Sequence, residues 1–281
     1  MKSMSDLQAA ERYVTRGEAP SVFNVTPRDI VASPYPHVIS EQLVRPDLYR
    51  RLKDEFPPNG FFEKHQKTIG SRTGRDLFKG DPHFESFIKG SPAWSEFYEY
   101  IGSRAFLNYA MTLFGPHLRN FNCSVDPAHV KLVDYTENRF SLWWRSKKAN
   151  YLGSRAGDPN KLFTRFDIEQ SAEGYDKPIH CDWPSRLISV ILYFSDADEI
   201  GMDGGDLRIH VPKDDRSYAQ CARKPKPEEM QIVQTIRPRE NLGLLFLCSN
   251  NSYHSVTAVR SIRDYRRFIY LNISSMAENI W

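Results

Sequence analysis

The spacing of apolar positions along the chain changes near residue 120. Before it, Leu48, Leu52 and Phe56 recur at helical spacing and Pro57-Pro58 end the pattern, which predicts a helix over about residues 45–56. Phe97, Tyr100, Ile101, Phe106, Tyr109 and Leu113 form a second apolar stripe and predict a helical region over about 93–113, with its aromatic residues packed on a sheet. Upstream, Ser33–Ile39, with its prolines and β-branched residues, reads as an extended entry strand, and residues 1–30 read as a loose, helix-leaning arm. After residue 120 the apolar segments are short, alternate with period two and are separated by turn residues. They are Val130–Val133, Phe140–Trp144, Leu162–Ile168, Ile188–Phe194, Leu207–Val211, Val233–Ile236, Leu242–Leu247 and Phe268–Ile273.

A helical half followed by a run of strands predicts a mainly β fold with helices packed on one face. The strand spacings are irregular and no internal repeat is visible, which argues against a propeller or solenoid and for a double-sheet jelly roll. The expected organisation is a single catalytic domain over 1–281. Residues 1–119 would form a mainly helical part with the first strands, and 120–281 the jelly-roll core. Lys213–Met230 is rich in charge and proline and has no apolar period, so 212–230 is a candidate lid or insert. Asn150–Asn160, with Gly153, Gly157 and Pro159, is a second long loop.

Composition narrows the class without naming a partner. An apolar fraction of 40% with 26% charged residues is that of a folded, water-soluble chain. A net charge of +3, with no block of like charges, nominates no nucleic acid. No apolar run approaches the ~18 residues of a membrane span, and the polar stretch Met1–Gly17 lacks the apolar core of a secretion signal. The expectation is a cytoplasmic protein with no membrane partner. Cys123, Cys181, Cys221 and Cys248 are widely spaced and form neither a CxxC pair nor a disulfide framework, so they are expected as reduced thiols. Nothing in the chain specifies an oligomeric state.

The chemistry concentrates in His180-Cys181-Asp182. A histidine and a carboxylate two residues apart on a strand point to the same side and can grip one metal, while Cys181 points to the other. Turn signals on both sides, Gly174-Tyr175 and Trp183–Arg186, put the pair at the end of a short strand. His254, after the strand Leu242–Leu247 and a polar turn, supplies a second imidazole. Two imidazoles and one carboxylate leave several coordination positions open, as in non-haem Fe(II) oxygenases. The common co-substrate of such iron is 2-oxoglutarate, whose far carboxylate suits the planar fork of an arginine on the strand after the second histidine. Arg266 and Arg267 both begin that strand. Arg266 shares a face with Phe268, Tyr270 and Asn272, a mixed face suited to a cavity, whereas Arg267 shares one with Ile269, Leu271 and Ile273, so parity favours Arg266.

The succession His180-Cys-Asp182, Ile188–Phe194, Gly204-Gly205-Asp-Leu207, His254–Val259 and Arg266–Leu271 resembles the Fe(II)/2-oxoglutarate-dependent dioxygenases of the prolyl-hydroxylase-like branch. The resemblance covers about residues 160–275, and Ser33–Pro58 is similar to the amino-terminal part of many bacterial members. It implies a double-stranded β-helix, or cupin-like jelly roll, with His180, Asp182 and His254 as iron ligands and Fe(II), 2-oxoglutarate and O₂ as cofactor and co-substrates. Arg266 would hold the distal carboxylate of 2-oxoglutarate, and Tyr193 matches the tyrosine that often assists. Gly204-Gly205 would be a tight approach before the next strand.

One departure, and one contrast with halogenating relatives, refine the expectation. Arg260–Tyr265 lengthens the turn before the arginine strand, which keeps Arg267 a candidate beside Arg266. Arg260 and Arg266 are spaced like the arginine pair of nucleic-acid demethylases, but the intervening Asn and Thr are absent. Asp182 stands where halogenating relatives have a small residue, so hydroxylation of a C–H bond, with release of succinate and CO₂, or another oxidation is expected rather than halogenation. Trp143, Trp144, Arg145, Trp183, Arg186 and Arg208 are candidates for the substrate pocket. Their basic members suggest an acidic small molecule: an amino acid, a peptide natural product or a sugar derivative. The alternatives are a protein or peptidyl side chain of the prolyl type and, from another class, a non-catalytic jelly-roll binding protein holding a structural metal.

Overall fold

The computed structural model describes residues 21–63, 74–136, 139–214 and 222–281. Its strands are β1 (His37–Ser40), β2 (Gly74–Phe78), β3 (Lys131–Leu132), β4 (Lys161–Ser171), β5 (Lys177–His180), β6 (Arg186–Tyr193), β7 (Leu207–Pro212), β8 (Met230–Ile236), β9 (Gly243–Leu247), β10 (His254–Val256) and β11 (Arg266–Ser275). They form two sheets. The larger has the order β1-β9-β6-β11-β4-β2, with β3 parallel to β4, and the smaller has the order β5-β10-β7-β8 with antiparallel pairing throughout. This is the mainly β, jelly-roll type of fold that the apolar pattern predicts.

The larger sheet is covered on both faces, and side-chain parity sorts its residues between them. Val190 and Leu192 of β6, Leu245 and Leu247 of β9, and Ile269, Leu271 and Ile273 of β11 join one core with the helices. Ile191 and Tyr193, Leu244 and Phe246, and Phe268 alternate with them and join Leu207, Ile209 and Val256 of the smaller sheet in a second core. Every residue of β6 is buried for this reason. Ile191, Leu207, Val256 and Phe268 of this second core line a cavity together with His180, Asp182 and His254.

The helices are α1 (Pro46–Asp54), α2 (Asn59–Glu63), α3 (Pro82–Gly90), α4 (Pro92–Ile101), α5 (Arg104–Phe114) and α6 (Arg139–Leu152). Leu48 and Leu52 of α1 are buried as predicted. The indole of Trp94 on α4 donates to the Leu52 carbonyl at 3.0 Å and its ring packs on Phe166 and Phe194, so the helices lock to each other and to the sheet. The predicted helical region 93–113 is two helices. Gly102 ends α4, and the Ser103 hydroxyl caps α5 by accepting from the Phe106 amide at 3.2 Å.

Phe140–Trp144, expected as a strand, lies in α6. The buried positions there are Leu142, Ser146 and Ala149, at helical spacing, while Phe140, Trp143, Trp144 and Tyr151 stand outside; apolar character without burial imitated a period of two. Residues 74–90 carried no expectation and form β2 and α3. Of the candidate lid at 212–230, residues 215–221 lie outside the described residues, as do 1–20 of the expected amino-terminal arm. Among the described residues no helix is long and apolar enough to cross a membrane. Cys123, Cys181 and Cys248 are free thiols.

One glycine controls how the second core closes. Gly204 has φ +80°, and a Cβ there would lie 1.9 Å from the Ala258 carbonyl oxygen, so only glycine lets the chain entering β7 run against the chain leaving β10.

Candidate functional site

His180 ends β5 and His254 begins β10, and the two residues are direct antiparallel partners. Their rings lie 4.4 Å apart between centroids, inclined by 51°. Asp182 follows His180 by two residues, and one ligand atom from each of the three lies within 4.8 Å of the others. The Nδ1 atoms of His180 and His254 are 2.8 Å and 2.9 Å from the carbonyls of Pro178 and Ser252, each two residues back. An imidazole that donates from Nδ1 to a carbonyl presents Nε2 as a lone pair, the form a metal needs. Cys181 points away, with Sγ 3.3 Å from the Asn250 carbonyl, in a small cluster with Met230 and Tyr253.

Asp182 is buried within a fixed set of donors. Its Oδ1 accepts from Arg186 Nη1 at 3.0 Å, and its Oδ2 accepts from Ser189 Oγ at 2.7 Å and Tyr270 Oη at 3.0 Å. Cys248 Sγ stands 3.5 Å away. Burial raises the carboxyl's pKa, but the Arg186 guanidinium, the two imidazoles and the Ser189 hydroxyl outweigh it and hold the group well below the usual carboxylate range. These donors favour the ionised carboxylate and fix its orientation. Ser189 and Tyr270 were not singled out in the sequence, although Tyr270 shares its strand face with Arg266; their parity was the signal.

Burial, followed by the neighbouring His254, pushes His180 down to about 3. Burial, followed by His254 and Arg208, pushes His210 down to about 4, where its Nε2 meets Ser255 Oγ at 2.8 Å. In the unfolded chain both titrate near ~6.5. Between these values the unfolded chain binds protons that the folded one does not, so their contribution is complete above ~6.5 and is lost as the pH falls toward 4. Each such histidine contributes a slope of at most ~1.4 kcal/mol per pH unit. Urea melts of metal-free protein are expected to show stability falling between pH ~7 and ~5, with a shallower fall in His210→Gln.

Arg266 is buried at the start of β11 on the cavity face. Its guanidinium carbon lies 4.3 Å from the ring centroid of Phe268 and 5.0 Å from that of Tyr193, and its Nη2 donates to Tyr193 Oη at 3.2 Å. Nε and Nη1 have no hydrogen-bond partner among the described residues. A buried cation with idle donors is costly unless an anion completes it. Arg267, held open as the other candidate, faces out of the cavity. Strand alternation turns it to an ion pair with Asp264 at 2.9 Å and to Asn59 Oδ1 at 3.3 Å, so it is withdrawn as a 2-oxoglutarate contact. Arg260 is exposed and paired with Asp203.

His180, Asp182, His254, Arg266, Phe268 and Tyr270 line a cavity of about 530 Å³, which also carries Trp143, Trp183 and Arg186 from the candidate pocket set. The other three candidates lie elsewhere. Trp144 is half-exposed on α6, Arg145 donates to the carbonyls of Ser275 and Ala277 at 2.6 Å and 2.9 Å, and Arg208 borders a separate groove with Asp206 and Arg237. Sequence reasoning missed Arg165, Asp167 and Glu169, which line the cavity from alternate positions of β4, and Arg223 and Lys224, which belong to the segment read as a lid.

The donor set fits Fe(II): two neutral imidazoles and one carboxylate, converging from a rigid sheet edge, with a cavity on the open side. The idle donors of Arg266 in the same cavity fit a carboxylate of 2-oxoglutarate. No curated protein sequence matches the chain. The "Crystal structure and expression patterns of prolyl 4-hydroxylases from Phytophthora capsici" match has a TM-score of 0.44 at 12% identity, covering 85% of this chain, which spans 58% of that one. A Pseudomonas putida prolyl-4-hydroxylase matches with a TM-score of 0.44 at 12% identity over 85% of this chain and 92% of its own. An oxidoreductase of the 2OG-Fe(II) oxygenase family from Burkholderia pseudomallei matches with a TM-score of 0.35 at 14% identity over 67% and 61%. The family model described as the 2OG-Fe(II) oxygenase superfamily matches residues 166–273, the segment from β4 to β11 that carries the three metal-binding candidates and Arg266.

Proposed function

We propose that the chain, acting as one catalytic unit, hydroxylates an unactivated C–H bond of a small molecule, with 2-oxoglutarate leaving as succinate and CO₂. One observation carries this reading. Three metal-binding side chains with ligand atoms within 4.8 Å and a buried arginine with two idle donors face one cavity, so a metal and an anionic co-substrate have places side by side. A structural metal in a binding protein would need its positions closed and would have no use for Arg266.

His180, Asp182 and His254 would hold the Fe(II), which with O₂ and 2-oxoglutarate supplies the oxidising power that turns C–H into C–OH. The protein's part is placement. The Pro178 and Ser252 carbonyls keep both imidazoles in the ligating tautomer, and the donors around Asp182 stop its carboxylate from rotating. Arg266 and Tyr193 would take the far carboxylate of 2-oxoglutarate, fixing which end of it points toward the histidines. Ile191, Leu207, Val256 and Phe268 form an apolar floor that keeps water out.

A cavity of about 530 Å³ shared by co-substrate and substrate suits a small molecule better than a folded protein segment. The test is succinate release by iron-loaded protein supplied with 2-oxoglutarate and size-fractionated cell extract. Stimulation by the low-mass fraction, with a product heavier by one oxygen, is the expected result. Stimulation by the protein fraction alone would replace the small-molecule reading with the peptidyl one.

A further inference from the structure

We propose that Arg223 anchors an oxyanion of the substrate, a carboxylate or a phosphate, at the Asp182–Trp183 end of the cavity. The proposal rests on the reading of the site as an Fe(II) and 2-oxoglutarate centre. It concerns a residue that reading does not use.

Three contacts hold Arg223 in place. The Cys181 amide donates to the Arg223 carbonyl at 2.9 Å, and Tyr253 Oη donates to the preceding carbonyl of Ala222 at 3.1 Å, so this strap is tied to the strand that carries His180 and to the turn before His254. The Arg223 side chain then donates from Nε to the carbonyl of Asp182 at 2.8 Å, and its guanidinium carbon sits 4.1 Å from the ring centroid of Trp183. Backbone, Nε and stacking face are all engaged. The two Nη groups have no partner among the described residues, and they belong to a side chain that lines the cavity.

The other arginines near the site are spoken for. Arg186 meets Asp182, Arg165 meets Asp167 and Arg267 meets Asp264. Arg223 meets no carboxylate among the described residues. An arginine kept for packing would spend its fork on carbonyls or a carboxylate. One fixed through Nε and a ring face, with both Nη groups left over, is organised for a planar or tetrahedral oxyanion.

The surrounding charge has the same sign. The iron, Asp182, 2-oxoglutarate and Arg266 sum to zero when all are present. Among the remaining lining residues, Arg165, Lys177, Arg186, Arg223 and Lys224 outnumber Asp167 and Glu169. A neutral or cationic substrate would face an uncompensated positive wall, whereas an anion is drawn in and oriented by it. Trp143 and Trp183 offer apolar surface beside it, so the molecule joins an oxyanion to an apolar body.

The test uses three probes of one shape: phenylacetate, phenyl phosphate and the neutral phenylacetamide. Each is titrated anaerobically into protein loaded with Fe(II) and saturating 2-oxoglutarate, followed by calorimetry and tryptophan fluorescence, with the iron–2-oxoglutarate absorption band monitored to show that the co-substrate stays bound. At least one anion should bind saturably to the wild type, ~10-fold or more tightly than the amide. Which of the two binds better identifies carboxylate or phosphate as the natural group. Arg223→Gln should remove that preference, and Arg223→Lys should restore part of it by returning the charge without the fork. Equal binding of amide and acids, no anion binding by the wild type, or an unchanged preference in Arg223→Gln would each overturn the proposal. The wild-type comparison decides even if a variant fails to fold. Failure of the underlying reading would appear differently, as absence of the band before any probe is added.

Discussion

His254→Ala is expected to lose stoichiometric iron and, with it, succinate formation, a larger loss than the ~10–100-fold that removal of an outer-sphere partner costs a metal site. His254 contributes one of three ligand atoms that lie within 4.8 Å, and its Nε2 is freed for this by the bond from Nδ1 to Ser252. The fold should survive. The side chain abuts a cavity rather than the helix-facing core, so its removal leaves only the Ser252 carbonyl without its imidazole partner and relieves one cause of the depression of His180. Iron content by metal analysis and the thermal midpoint of the metal-free protein check both parts. Full iron content in the variant would remove His254 from the site.

Arg266→Gln is expected to weaken 2-oxoglutarate binding by on the order of 10²-fold or more, the cost of removing one partner of a buried, charge-assisted pair. The same change should leave the free protein as stable as before or more so. Without an anion, the guanidinium is a buried charge whose Nε and Nη1 make no hydrogen bond, and glutamine removes that charge while filling part of its volume. Saturating 2-oxoglutarate should therefore raise the melting temperature of the wild type and not that of the variant, because a ligand stabilises only what it binds. Arg267→Gln serves as the contrast. It breaks the outward ion pair with Asp264 and should leave the affinity for 2-oxoglutarate near that of the wild type.

Parity and order made much of the site legible in the sequence. A strand has period two, so His180 and Asp182 had to share a side with Cys181 opposite, and Arg266 had to part from Arg267. The paired position of His254 and His180 was less accessible, since it depends on which strands become neighbours in the smaller sheet. Local pattern carries no such information. The same limit hid Ser189 and Arg186 as partners of Asp182, because their roles arise where β6 passes behind the loop that follows β5.

Misreadings came where apolar residues are not buried or where polar residues are. Phe140–Trp144 resembled a strand because its aromatics lie off the buried face, Leu142, Ser146 and Ala149, of a helix. Arg165, Asp167 and Glu169 sit on a central stretch of β4, where charge suggests a solvated face, but that face looks into the cavity. Arg223 was passed over within a charged, proline-rich segment. Its place was set by backbone bonds to Cys181 and by Trp183, neither of which has a spacing signature.

The central claim is that His180, Asp182 and His254 hold an Fe(II) that takes 2-oxoglutarate as a chelating ligand. Anaerobic titration of the metal-free protein with Fe(II) in the presence of 2-oxoglutarate measures this directly. A weak visible charge-transfer band that saturates at one iron per chain and is missing in His180→Ala is the result the account predicts. No band in the wild type, or a band that persists in His180→Ala, would contradict it.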